Sequence, residues 1–391
     1  TFVVFKTYKM NDMKGKQGLV CMGLLLVLSS CSCHTGKQIT ASGLQRKDFQ
    51  TEVNGQHTDL FTLSNKQGME VCITNYGARV VSILVPDRNG KREDVVCGFS
   101  TITEYMEQRQ NFGSTVGRYI GRILNARFTL DGVEYKLVPN NGKSGHISHG
   151  GNPGFADRIW KVEQADTHRV RLSYLSPDGE NGFPGNLKVT LVYSLGEDDN
   201  ALDLTYEATT DAPTVLNLSH HSFFNISGNF TKSVEDQQLW VDADRFTPYD
   251  DKKCVTGEYL PVAGTPLDFR MPHTIGECID ADHPQLKVVN GYDHTWELNT
   301  KGDDTRPAAW VYDPASGRKM EIFTTEPGMQ IYTGNGLKGK MTGKGGIAYP
   351  FRSAVCFETM HFQDSPNQPG FPSTVLRPGE VFRSHTVYKF E

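Results

Sequence analysis

The chain has 391 residues, a formal net charge of −5 and 37% hydrophobic content, the composition of an ordinary globular protein. The mild acidity supplies no basic footprint for nucleic acid, and no run reaches the roughly 18 apolar residues of a membrane-spanning helix. The cysteines include no Cys-x-x-Cys spacing, which excludes a zinc ribbon or a thioredoxin-like motif.

In chain order, Met13-Lys14-Gly15-Lys16 makes a basic start, Leu19 to Leu28 a short apolar stretch, and Ser29 and Ser30 then precede Cys31. That order reads as a secretory leader, too short to span a membrane. The tetrad Leu28-Ser29-Ser30-Cys31 resembles a bacterial lipoprotein processing box, which implies lipidation at Cys31. The expectation is export and a lipid anchor on a bacterial cell membrane, facing the periplasm. Residues 1–12 lie upstream of the better start at Met13 and are not expected in the natural protein. Residues 1–30 are therefore set aside, 31–55 are expected as a tether, and 56–391 as a single domain.

From about residue 56 the chain predicts strand after strand. Met69 to Pro86 is rich in Val, Ile and Thr, broken only at Tyr76-Gly77. Arg127 to Leu130 and Val133 to Leu137, joined by Asp131-Gly132, predict a hairpin with a primed turn. Val170 to Leu175, Leu187 to Leu195, Ala201 to Ala208, Trp240 to Phe246, Ala308 to Tyr312, Lys319 to Thr324 and Met329 to Tyr332 continue the pattern. Helical signals are scarce: Thr101 with Glu104 forms a capping box good for a turn or two. Many short strands without a break in composition predict an all-β, antiparallel sheet-on-sheet body. Cys72, Cys97 and Cys356 fall in apolar strands and read as buried thiols, whereas export would permit a Cys254–Cys278 pair.

Polar clusters beside these strands hold the candidate chemistry. They are Gly117 to Ile123, His146 to Gly151, His220-His221, and a group combining Gly291 to His294, Gln330 to Asn335 and Glu358. Forked donors, amides and carboxylates of this kind match the vicinal hydroxyls of a sugar. His220 and His221 alternate in a strand, so one should face inward and the other outward. A carboxylate at Glu358, in an apolar run, is costly unless it is paired or used. Imidazoles at 146, 149, 220 and 221 could gather around zinc, but their spacing matches no standard ligand pattern. The run Gly339 to Gly346 lacks the spacing of a phosphate loop.

Several segments, in this order, resemble the aldose 1-epimerase (galactose mutarotase) family. They include Asn75-Tyr76-Gly77-Ala78, Gly117-Arg118 with Arg122-Ile123, His149-Gly150-Gly151, Asn217-Leu218 with His221-Ser222, Gly291-Tyr292-Asp293-His294, Phe357-Glu358-Thr359 and Leu376-Arg377-Pro378-Gly379-Glu380. The resemblance implies a large antiparallel β-sandwich with a monosaccharide in an open cleft. It implies Glu358 as general base, His221 as general acid, and Arg122, His149, Asp293 and Gln330 as holders of the sugar. No metal or other cofactor is implied, and a monomer is expected. Two positions depart from the pattern: Gly121 and His220 stand where the family usually has asparagine. The rival readings are a carbohydrate-binding lipoprotein without turnover, a metal-dependent hydrolase, and an epimerase for modified sugars.

Overall fold

The computed structural model describes residues 38–391. Cys31 and the expected leader lie outside the described residues. The end of the expected tether is not a tether. Leu44 and Phe49 are buried in a core cluster with Leu60 and Tyr105, and Arg46 forks onto Asp59 at 2.5–2.8 Å. Two apolar side chains with a surface to cover, and an ion pair to hold them, bring this polar segment onto the sandwich.

A nine-stranded antiparallel sheet forms one layer. Its order is Lys161–Ala165, Arg169–Ser176, Leu187–Leu195, Ala201–Thr210, Phe382–Phe390, Lys319–Thr324, Ala309–Tyr312, Gln238–Val241 and His273–Thr274. A six-stranded sheet and a four-stranded sheet (Leu60–Ser64, Glu70–Thr74, Arg79–Pro86, Arg92–Asp94) face it. The order of the six is Phe223–Phe224, Val355–Met360, Gly328–Tyr332, Asp293–Glu297, Arg245–Thr247 and Leu260–Pro261. One apolar core joins all three sheets, through residues such as Val71 and Ile73, Leu191 and Leu204, and Ile331 and Phe357. The fold is the expected all-β antiparallel sandwich.

Local chemistry explains the elements. Asp131 and Gly132 both take positive φ (52° and 79°), the geometry of the primed turn, and Arg127–Leu130 pairs with Val133–Lys136 in register across it. Thr101 caps Ile102–Gln108 with both arms of the capping box made. Pro284 at the first helical position and Asn290 in the left-handed C-cap bound the second short helix, Pro284–Val289, which carries no long period to betray it. Trp240 to Phe246 is not one strand but two, Gln238–Val241 and Arg245–Thr247, which belong to different sheets.

The thiols of Cys72, Cys97 and Cys356 are buried and free, and Cys254 and Cys278 are free as well, so the conceivable 254–278 pair is not formed. Cys254 instead lies 3.3 Å from Nε2 of His146.

Candidate active site

Side chains alternate across a strand, so each strand of the six-stranded sheet serves two environments. In Val355–Met360, Phe357 enters the core while Glu358 takes the other face. In Gly328–Tyr332, Met329 and Ile331 enter the core while Gln330 and Tyr332 share the face of Glu358. Glu358 and Gln330 are direct cross-strand partners, and Gln330 is in turn opposite Thr295, two residues beyond Asp293. These outward faces, together with loops from the first third of the domain, enclose a cavity of about 260 Å³.

All six residues expected at a sugar site line that cavity: Arg122, His149, His221, Asp293, Gln330 and Glu358. Nε2 of His221 lies 3.3 Å from Oε1 of Glu358, and both side chains are almost wholly buried (7% and 4% exposed). The His221 ring stacks on Phe223 at 5.0 Å and meets the His149 ring edge-on at 5.5 Å.

Local folding places each group. Ser219–His221 pairs with Ser114–Val116, with His221 opposite Ser114. Arg122 opens the two-residue strand Arg122–Ile123, which pairs with Ile147–Ser148, and the His149 N–H donates to the Gly121 carbonyl at 2.9 Å. His149 itself takes φ 52°, a left-handed conformation that costs a non-glycine residue about 1–2 kcal/mol. Asp293 accepts from the Gln330 amide at 2.6 Å. Arg118, by contrast, turns into a buried cage of acceptors from Ser176, Pro184 and Gly185 and stays away from the cavity.

Electrostatics follow from burial in a mostly neutral wall. Glu358 is held well above its ordinary 4.5, first by burial and then by repulsion from Asp293, with Arg122 pulling the other way. His221 is held well below 6.5 by burial, with His149 adding repulsion. His149 falls to about 4, by burial and the nearby Arg122 cation. Asp293 is raised by burial, which Arg122 and the Gln330 hydrogen bond offset in part. Two carboxyls and two imidazoles whose neutral forms are favoured thus surround one guanidinium, a clustering of displaced titrating groups that is common at functional sites.

His220 is buried too, so the expectation of one inward and one outward histidine holds only in direction. The strand is enclosed on both sides: His220 points into the sandwich and His221 into the cavity. Tyr193 gives its O–H to the Ala78 carbonyl (2.7 Å) and can only accept from His220, whose Nδ1 (3.4 Å) therefore carries the proton. Nε2 then accepts from Ser222 at 2.6 Å, and burial lowers this imidazole to about 3. His146 is occupied as well, its Nδ1 accepting from the Asn125 N–H at 2.9 Å. The four histidines weighed as a zinc cluster thus do not converge. Among the described residues, the ligand atoms that do gather, within 4.8 Å, are those of His221, Cys356 and Glu358. Burial pushes the Cys356 thiol well above 9.0.

Sequence reasoning missed Phe223 and Gln363, which line the cavity, and Tyr249, whose hydroxyl accepts from the Gln330 and Gln363 amides. Phe223 follows His221 by two residues, a spacing that would have found it, and Tyr332 of the expected Gln330 to Asn335 cluster does line the cavity. Tyr249 and Gln363 lie in irregular chain, where no periodicity points at a cavity.

The aldose 1-epimerase family model matches residues 59–389. The galactose mutarotase of Sus scrofa is 39% identical over 330 residues, covering 84% of this chain and 93% of that protein. The aldose 1-epimerase of Escherichia coli (strain K12) is 36% identical over 339 residues, covering 86% and 96%. Among solved structures, an aldose epimerase homologue from C. elegans superposes with a TM-score of 0.79 at 31% identity, covering 85% of this chain and 99% of that one. A galactose 1-epimerase from Lactobacillus acidophilus gives 0.76 at 28%, covering 88% and 97%. A buried imidazole–carboxyl pair in the wall of one cavity of the sandwich, and this likeness along nearly the whole folded chain, lead to one assignment: the chain belongs to the aldose 1-epimerase family.

Proposed function

We propose that this protein is an isomerase that interconverts the α and β anomers of free hexoses, galactose or glucose, with His221 and Glu358 as the proton-transfer pair. The observation that carries the residue assignment is their 3.3 Å approach inside one small cavity. An acid and a base must both lie within reach of one substrate, and here a single pyranose could touch both.

In this reading Glu358 takes the proton from the anomeric hydroxyl while His221 gives one to the ring oxygen. The C1–O5 bond breaks, leaving an open aldehyde. Rotation about C1–C2 presents the other carbonyl face, and the ring closes with the two roles exchanged. The cycle balances: one proton leaves O1 and one reaches O5 on opening, and the reverse occurs on closing. Burial favours neutral Glu358 and neutral His221, the opposite of the starting state this order needs. Arg122, which draws Glu358 downward, acts toward the charged pair, as would sugar hydroxyls that hydrogen-bond it. Since opening and closing use the pair in both senses, each arrangement occurs once per turnover. Arg122, His149, Asp293 and Gln330 would hold the remaining hydroxyls.

The test is polarimetry of freshly dissolved α-galactose. Rotation should decay faster with the protein than without it, and binding with no faster decay would leave only a lectin.

We further propose an exported protein, lipid-anchored through Cys31, supported by the basic start, apolar stretch and processing-type tetrad. Growth with a radiolabelled fatty acid should label the wild type and not Cys31→Ser. Equal labelling of both rejects the anchor.

A further inference from the structure

Gly121 lies beside Arg122 with φ +75°, and a Cβ built on it would stand 2.5 Å from Cγ of Gln363. The missing side chain is therefore the space into which Gln363 folds. Gln363 is buried, 3% exposed, yet borders the cavity. Its carboxamide is fully employed. Oε1 accepts from the Arg122 N–H at 3.3 Å and from the Arg122 guanidinium at 3.5 Å. Nε2 donates to the Tyr249 hydroxyl at 2.6 Å and to Oε1 of Gln330 at 3.3 Å. Arginine can only donate, so the amide orientation is fixed by its partners. Gln330 passes the chain on to Asp293 at 2.6 Å.

We propose that Gln363 is a positioning residue that ties Arg122 to the Gln330–Asp293 pair, and that Gly121 exists to give it room. Three of the four groups assigned to hold the sugar are then set by one side chain arriving from the opposite wall. Gln363 reaches neither His221 nor Glu358, so its contribution belongs to sugar binding and not to proton transfer. The inference rests on the mutarotase reading for its substrate class, but its test does not depend on turnover.

The near-isosteric Gln363→Met keeps the contact over Gly121 and removes every polar link. Loss of hydrogen bonds to a charged group should weaken galactose binding about tenfold. Calorimetric titration with galactose should show that rise in Kd, and kinetics the same rise in KM with kcat within about threefold of wild type. Gly121→Asn alone should clash with Gln363 and weaken binding. Asparagine tolerates the left-handed conformation at 121, so Gly121→Asn combined with Gln363→Ala should recover most of the lost affinity by supplying a carboxamide from the near wall. A structural role alone would not produce that rescue. Wild-type affinity in Gln363→Met, a loss confined to kcat, or no recovery in the double variant each overturns the proposal. A wild type that binds galactose without accelerating its mutarotation would instead sink the catalytic reading, and the comparison of Kd values would still stand.

Discussion

Glu358 and Gln330 face each other across adjacent antiparallel strands, so the proposed base and one of its sugar-holding neighbours are fixed in mutual position by backbone pairing. Asp293 is then held against Gln330 by a 2.6 Å hydrogen bond. The carboxyl that must change its charge sits on a ladder and not on a loop, which limits how far it can wander between turnovers.

Removing either member of the pair should abolish most catalysis without unfolding the protein. Glu358→Gln and His221→Asn keep size and hydrogen-bonding shape while losing the proton-transfer function. A positioned acid or base contributes roughly 10²–10⁴-fold, and polarimetric kcat should fall by that order in each variant, with an unchanged far-ultraviolet spectrum. A rate close to wild type in either one contradicts the assignment.

Arg122→Ala should act mainly on binding. The guanidinium is half-buried in the cavity wall, and charge-assisted hydrogen bonds of this kind are worth about 1.5–3 kcal/mol, so KM should rise by about tenfold or more. Because Arg122 also draws Glu358 downward, the alkaline limb of the pH profile should move up in the variant. An unchanged KM for galactose would remove Arg122 from the sugar site.

The pH dependence of kcat/KM should reveal a shared proton. With His221 held well below 6.5 and Glu358 well above 4.5, the pair carries a single proton between the two displaced values. A second proton enters only as pH falls through the lowered imidazole value, so the acid limb should be centred below pH 6.5. A limb at or above 6.5 would mean an imidazole that has kept its water.

A separate titration should appear in stability. On the outer face of the nine-stranded sheet His385 lies between Asp203 (2.7 Å) and Asp304 (2.6 Å), which raise it to about 9. The imidazolium is favoured in the folded state, so its contribution is fully present below 6.5 and is lost as pH rises through about 9. Urea unfolding of His385→Asn should therefore differ most from wild type near pH 6 and least above pH 9. A gap independent of pH would show that charge is not what His385 supplies.

Much of this architecture could be read before any coordinates. The Asp131-Gly132 turn and the Thr101 capping box are local chemistry, and local chemistry is visible in a sequence. Phe382–Phe390 escaped notice although it joins the two halves of the largest sheet. Ser384 and Thr386 occupy two of its inward positions, which blurs the alternation. The pairing of His221 with Glu358 was expected from family likeness, and the likeness could name the residues but not bring them to 3.3 Å. Gln363 was invisible for a different reason: its importance depends on the absence of a side chain at residue 121, far away in the chain. A contact made possible by what a distant position lacks leaves no mark in either segment.

The alternation within Val355–Met360 ties two demands into one thread. A slip of a single residue would drive the Glu358 carboxyl into the oily interior and expose the Phe357 ring, so an inactive but soundly packed version of this strand has no register to occupy. Selection for mere folding thereby guards the chemistry, and decay of the enzyme must begin by substitution at the cleft and not by drift of the sheet.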